Sequence, residues 1–371
     1  MLRRSLLALA LLAAPVAAQG QIVASERATF RVGVFAAGLE RPWGAAFLPD
    51  GTMLVTERPG RLRRIGTDGR VSPPIAGVPR VDANGQGGLL DIALAPDFAR
   101  TREVFLCHSA AVEGGSLTRL VVARLSPAAD ALTALRRVID AGPPQASGRL
   151  HYGCRIAFGP EGHIFLSTGE RNERARAQRL DDLAGKVLRL TRDGRAPPDN
   201  PFVGRAGARP EIWSYGHRNP QGLAMNPWTG SLWEAEFGPR GGDEINVIRR
   251  GANYGWPVVS HGREYWGPRI SRETSAPGME DPIHVWVPSV SPSGIAFYDG
   301  AAFPGWRGSL FAAAQSTPGL VRLTTDGDRI TGEERLLWNR TRFRHQVVGP
   351  DGRLYLLTDE DEGRILRLDP A

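Results

Sequence analysis

Trp43-Gly44-Ala45-Ala46-Phe47-Leu48-Pro49-Asp50-Gly51 runs directly into Thr52-Met53-Leu54-Val55-Thr56-Glu57. Proline presets φ for the first corner of a tight turn and glycine supplies the positive φ that follows, so the stretch reads as two short strands around a Pro-Asp-Gly turn. The same order of residue types returns five times. It appears at Leu90–Asp97 with Val104–Cys107, at Arg155–Gly162 with His163–Thr168, and at Gly222–Pro227 with Ser231–Glu234. It appears again at Gly294–Tyr298 with Ser309–Ala313, and at Gln346–Gly352 with Leu354–Thr358. Most copies are followed by another short strand, such as Arg61–Ile65, Lys186–Leu190 or Arg364–Leu368.

A hairpin of this kind cannot bury its faces alone, whereas blades packed radially around an axis can. Six copies predict an all-β fold, a six-bladed β-propeller of four-stranded antiparallel blades. The 45 glycines and 29 prolines in 371 residues suit a fold of many short strands, and 42% hydrophobic with 23% charged residues is a globular composition. The longest inserts, at about 170–220 and 238–293, predict loops that decorate one mouth of the ring, where sites are usually placed.

The N-terminus has its own signature. Met1–Arg4 is basic, Ser5–Ala14 is apolar but too short to span a bilayer, and Val16-Ala17-Ala18 offers small residues for cleavage. Residues 1–18 therefore read as a secretory signal peptide, of Sec type rather than twin-arginine type, and 19–371 as one propeller domain, periplasmic or secreted. No later stretch approaches about 18 uninterrupted apolar residues, so no membrane span is expected. Export places Cys107 and Cys154 in an oxidising compartment, where they are either paired or two buried thiols. The charge balance, 46 Lys+Arg against 39 Asp+Glu, is spread without runs of like charge, which argues against a nucleic-acid partner. Lys186 is the only lysine.

Three segments stand apart from the repeat. His151, in Leu150–Arg155, is either a general base or a structural hydrogen-bonder, and Glu170 either orients its ring or is a solvated carboxylate. Arg218 and Asn219, in Tyr215–Ala224, present a planar cation and an amide suited to a carboxylate or carbonyl ligand, or else form an interblade salt bridge. Glu236–Asn246 with Gly251–Pro257 combines Gly/Pro turns with Asp243 and Glu244, which is either calcium chemistry or a solvated turn. No Gly-x-Gly-x-x-Gly stands between a strand and a helix, so nicotinamide is not expected.

Together these segments resemble the soluble pyrroloquinoline quinone (PQQ)-dependent aldose sugar dehydrogenases, the glucose/sorbosone dehydrogenase family. The resemblance is carried by Gly85-Gln86-Gly87-Gly88-Leu89-Leu90-Asp91, Gly185–Leu190, Gly216–Gly222, and Asp243–Asn246 with Asn253–Pro257. It implies that His151 takes the proton of the anomeric hydroxyl of an aldose while hydride passes to PQQ, with Gln86 close to both. It further implies that Arg218 and Asn219 contact the quinone edge and that Arg342 and Arg344 pair with PQQ carboxylates. By the same likeness the carbonyls of Gly238 and Pro239 hold a calcium ion on PQQ, and Glu244 with the carbonyl of Tyr254 holds a second, structural calcium. Electrons would leave to an external acceptor, a quinone or a cytochrome. Three positions depart from the family pattern: no lysine stands in Leu310–Ser316, Glu170 replaces an aspartate, and His345 follows the arginine pair where an aspartate is usual. A calcium-dependent lactonase-type propeller and a non-catalytic binding propeller are the alternatives.

Overall fold

The computed structural model describes residues 21–371, so the signal-peptide reading of residues 1–18 lies outside the described residues. Each repeat copy supplies the innermost strand of one sheet: Pro42–Phe47, Leu89–Leu94, Gly153–Phe158, Pro220–Met225, Pro292–Phe297 and Phe343–Val348. The first four share one burial pattern, four buried residues and then two half-buried ones. Each innermost strand packs against the next and the sixth against the first, which closes a ring of six antiparallel sheets.

Six apolar clusters sit between neighbouring blades. Leu54 and Leu62 meet Leu89 and Leu106 between the first two, and Trp233 and Ile245 meet Ile295 and Leu310 between the fourth and fifth. Second strands such as Ile164–Thr168 and Leu310–Ala314 are buried at every residue, as their near-continuous apolar runs require. The predicted turns hold, with Gly51, Gly162 and Gly352 at φ of 81°, 77° and 74°.

Four blades have four strands; the first has three and the last five. In the first blade the fourth strand falls at Pro73-Pro74, where two amide donors are missing. Only Ser72 and Ile75 donate, to Arg64 and Leu62. The last blade is completed by the other end of the chain. Thr29–Leu39 pairs antiparallel with Gly363–Pro370, and Gln21–Ala24 adds outside it.

All six innermost strands shift register near their start, as between Gly153 and Ile156 or Phe343 and His345. Such bulges re-aim side chains at the mouth of the ring. Below them a polar plug closes the channel. The buried Arg155 guanidinium donates to Asp91 (3.1 Å) and to the Gln221 carbonyl (2.6 Å), and lies 3.9 Å from the Trp43 ring centre. Burial pushes the Asp91 carboxyl up and Arg155 down to about 10, which is the electrostatic cost of a desolvated pair.

Candidate active site at the channel mouth

Above the plug lies a cavity of about 270 Å³ to which all six blades contribute. The first gives Arg41, Trp43 and Arg58; the second Gln86; the third Tyr152 and Gly153; the fourth Asn219 and Gln221; the fifth Gln315; the sixth Arg342, Arg344 and Asp359. Four guanidinium groups and one carboxylate face one another, which suits a polyanion.

His151 immediately precedes Tyr152 and Gly153 of the cavity lining, in a segment of unusual backbone. His151, Gly153 and Cys154 all have positive φ, at 50°, 64° and 79°, a conformation held only when the surroundings over-determine it. Three contacts do so. Gln86 Oε1 accepts the His151 N–H at 2.8 Å. Gly169 passes so close that a Cβ there would stand 2.2 Å from the His151 carbonyl oxygen. Cys154 is disulfide-bonded to Cys107 of the second blade, which settles the two open readings of the cysteines in favour of the pair.

The His151 ring donates Nδ1–H to Glu170 Oε2 at 2.7 Å, and the same oxygen accepts the Asn172 N–H. This fixes the tautomer with the lone pair on Nε2. Burial pushes the ring below its ordinary range, and the Glu170 hydrogen bond only partly opposes this. His151 is therefore neutral and basic at pH 7.

Asn219 faces the cavity and accepts from the Gly153 N–H (3.2 Å) and from Gln221 (3.2 Å). Arg342 and Arg344 converge on Asp359 Oδ2 at 3.3 and 3.0 Å, which Gln315 also reaches at 3.1 Å. Arg218 is placed differently. It donates to the carbonyls of Phe237 (2.9 Å) and Gly238 (3.0 Å) and lies over Trp256. It thus faces the glycine loop rather than the cavity lining. His345 faces the opposite opening of the channel; burial holds it well below the usual range, so it adds no charge to the mouth.

The glycine loop borders a second, ion-sized space of about 10 Å³ lined by Glu236, Gly238, Glu244, Tyr254 and Ser260. Strand alternation explains the carboxylates. Glu234 and Glu236 share one face of Leu232–Glu236 and pair across the sheet with Asn246 and Glu244. Glu234 Oε1, Asn246 Oδ1 and His217 Nδ1 are buried without partners. His217, Glu234 and Glu236 bring ligand atoms within 4.8 Å of one another. Burial raises the Glu234 and Glu244 carboxyls well above the ordinary range, and repulsion from Glu236 adds to it. An oxygen-rich cluster with orphaned acceptors fits a hard divalent cation such as calcium.

Several site residues lay unremarked in the sequence: Arg41, Arg58, Gln315, Asp359, Glu234 and His217. The repeat itself carried a signal for some. Arg58, Phe237, Gln315 and Asp359 each stand directly after the second strand of a copy, and all four line the mouth cavity.

Residues 39–367 match the family described as Glucose / Sorbosone dehydrogenase. The chain is 45% identical over 348 residues to aldose sugar dehydrogenase YliI of Escherichia coli, covering 92% of this chain and 94% of that one. A solved glucose dehydrogenase superposes with a TM-score of 0.89 at 48% identity, over 92% and 99% of the two chains. The PQQ-bound form of an aldose sugar dehydrogenase from Streptomyces coelicolor superposes at 0.77 with 32% identity, over 92% and 98%.

Proposed function

The chain belongs to the glucose/sorbosone dehydrogenase family, and from that premise we propose that it is a PQQ- and calcium-dependent dehydrogenase oxidising the anomeric carbon of aldose sugars to lactones. The observation that carries the proposal is a buried His151, fixed by Glu170 and bonded to Gln86, which lines a cavity walled by arginines.

His151 Nε2 accepts the proton of the anomeric hydroxyl, and Glu170 stabilises the imidazolium that results. Gln86 holds the backbone of the base and faces the cavity beside it. PQQ, when bound, supplies the hydride acceptor, with calcium on the carbonyls of Gly238 and Pro239 polarising the quinone oxygen. Arg342 and Arg344 would hold its carboxylates, and Asn219 and Arg218 would contact its carbonyl edge. Glu244 and the Tyr254 carbonyl, with Glu234 and Glu236 on the same face, hold a structural calcium. An external quinone or cytochrome takes the electrons onward.

Residues 1–18 serve as the export signal and 19–371 as the exported propeller, periplasmic or secreted. The disulfide supports an oxidising compartment, and no helix among the described residues is long and apolar enough to cross a membrane. The lactonase alternative asks for a metal in the channel itself, where the mouth offers a single carboxylate, Asp359, already held by two arginines. Purified apo-protein given PQQ and calcium should reduce a dye with aldoses as donors. No PQQ-dependent absorbance and no turnover would remove the proposal, and lactone hydrolysis without PQQ would favour the alternative.

A further inference from the structure

The guanidinium groups of the mouth are not equally compensated. Arg342 and Arg344 share Asp359, and Arg41 pairs with Asp361. Arg58 has no carboxylate partner among the described residues. Glu57, its chain neighbour, is already taken by Arg61 (2.7 Å) and Arg63 (2.9 Å) and by the Glu40 N–H (2.6 Å). Arg58 Nη1 instead touches the carbonyls of Gly85 and Gly87. A half-buried cation held directly only by carbonyls, beside Arg41 and Arg344, has no ion pair of its own, since the nearby Asp359 and Asp361 are engaged by those other arginines.

Its seat is rigid. The Arg58 N–H donates to Arg41 O (3.1 Å) and its carbonyl accepts from Leu89 N (2.9 Å). Gly88 crosses it so closely that a Cβ would fall 2.1 Å from Arg58 O. The Gly85–Gly88 turn is therefore folded around Arg58, and that turn carries Gln86, the residue that holds His151. A cation fixed this firmly in a cavity wall is built for an anion that arrives from outside.

We propose that Arg58 is an anion-binding residue of the mouth cavity, supplying the uncompensated charge that pairs with a carboxylate of a polycarboxylate ligand. The inference rests on the cofactor reading above when that ligand is PQQ. The pairing involves no covalent step: a carboxylate oxygen accepts from the guanidinium N–H groups that the two glycine carbonyls leave free.

The test is equilibrium titration of the calcium-loaded apo-protein with PQQ, followed by quenching of tryptophan fluorescence, since Trp43 lines the cavity. Arg58→Gln should raise the PQQ Kd about tenfold to hundredfold, the range of one charge-assisted hydrogen bond. Arg58→Lys, which keeps the charge, should recover part of the loss. Unchanged affinity in Arg58→Gln overturns the proposal. Equal loss in both variants also overturns it, because the turn contact rather than the charge then matters. Citrate, a small tricarboxylate, separates the two readings. Arg58-dependent citrate binding without PQQ binding removes the cofactor reading and keeps the anion site, and failure of the unaltered chain to bind either ligand overturns both.

Discussion

Glu170 Oε2 lies 2.7 Å from His151 Nδ1, with both side chains buried and the same oxygen also accepting the Asn172 N–H. Glu170 is thereby locked as an acceptor, and the imidazole is locked with its lone pair on Nε2. Glu170→Gln can present an N–H to Nδ1, which favours the other tautomer and leaves Nε2 protonated. The expected result is a fall of about 10²- to 10⁴-fold in kcat, the usual contribution of general acid–base catalysis, with PQQ affinity close to that of the unaltered chain. His151→Ala should fall at least as far. Full activity in either variant would remove the pair from the proton path.

The pH profile follows from the same burial. Desolvation lowers the His151 pKa from its ordinary value and Glu170 only partly raises it, so the acid limb of kcat/KM should have its midpoint below about 6.5. Glu170→Gln removes the opposing contribution, and its residual activity should show the limb displaced further toward acid. The sign for stability agrees. Below about pH 6.5 the unfolded chain takes up a proton on this histidine that the folded chain resists, so folding free energy falls as the pH drops through that window. An acid limb above 7 that is insensitive to Glu170 would contradict the assignment.

How much of this was legible before the structure depends on the range of the interaction. The six hairpins are local: Pro-Asp-Gly turns and short apolar runs announce them, and every innermost strand lies where its repeat copy stands. Closure by Thr29–Leu39 on Gly363–Pro370 is not local, since it pairs segments some 330 residues apart and nothing in either strand names the other. The missing regular strand of the first blade was visible as Pro73-Pro74 once its place in the repeat was known. In the site, His151 and Glu170 were named from the sequence and the structure brings them into hydrogen-bond contact, and the Glu234/Glu236 face follows from strand alternation. The Arg155–Asp91 plug joins residues 64 positions apart and needed the ring to be closed first. Arg218 was named from the sequence, and its guanidinium faces the Gly238 carbonyl rather than the cavity lining, a side-chain direction that the motif does not specify.

Calcium removal gives a test that does not involve turnover. Without a cation, Glu234, Glu236 and Glu244 crowd one desolvated space, where burial first and then the Glu236 charge raise the Glu234 and Glu244 carboxyls well above their ordinary range. A bound divalent cation stabilises the folded state by mass action, about 2.7 kcal/mol at one hundred times Kd. Chelation should therefore lower Tm by several degrees and added calcium should restore it. Glu234→Gln removes one of the crowded carboxyls, so its chelated form should be at least as stable as the chelated parent while its response to calcium shrinks. Identical melting with chelator and with calcium would sink the site.

Lys186, the only lysine in the chain, is far from the role of a cofactor ligand. Its Nζ is buried and donates to three carbonyls, Arg176 (2.8 Å), Ala177 (3.1 Å) and Ala184 (2.6 Å). Those carbonyls belong to the segment that follows Glu170 and contains the short 3-10 turn Arg174–Gln178. Ala177 O also receives the Gly216 N–H, and Gly185 O the His217 N–H, so the segment supports the strand end that carries Arg218. Lys186→Met keeps the stem but leaves the Ala184 carbonyl without its donor, while Arg176 O and Ala177 O keep only their backbone donors, the Arg179 and Gly216 N–H groups. One unsatisfied buried group costs about 1–3 kcal/mol, which is the expected loss. Urea unfolding should show that loss as a lower midpoint, with PQQ affinity in the folded fraction little changed. A loss in affinity without a loss in stability would instead place Lys186 in the ligand site, although it is not among the residues lining the cavity.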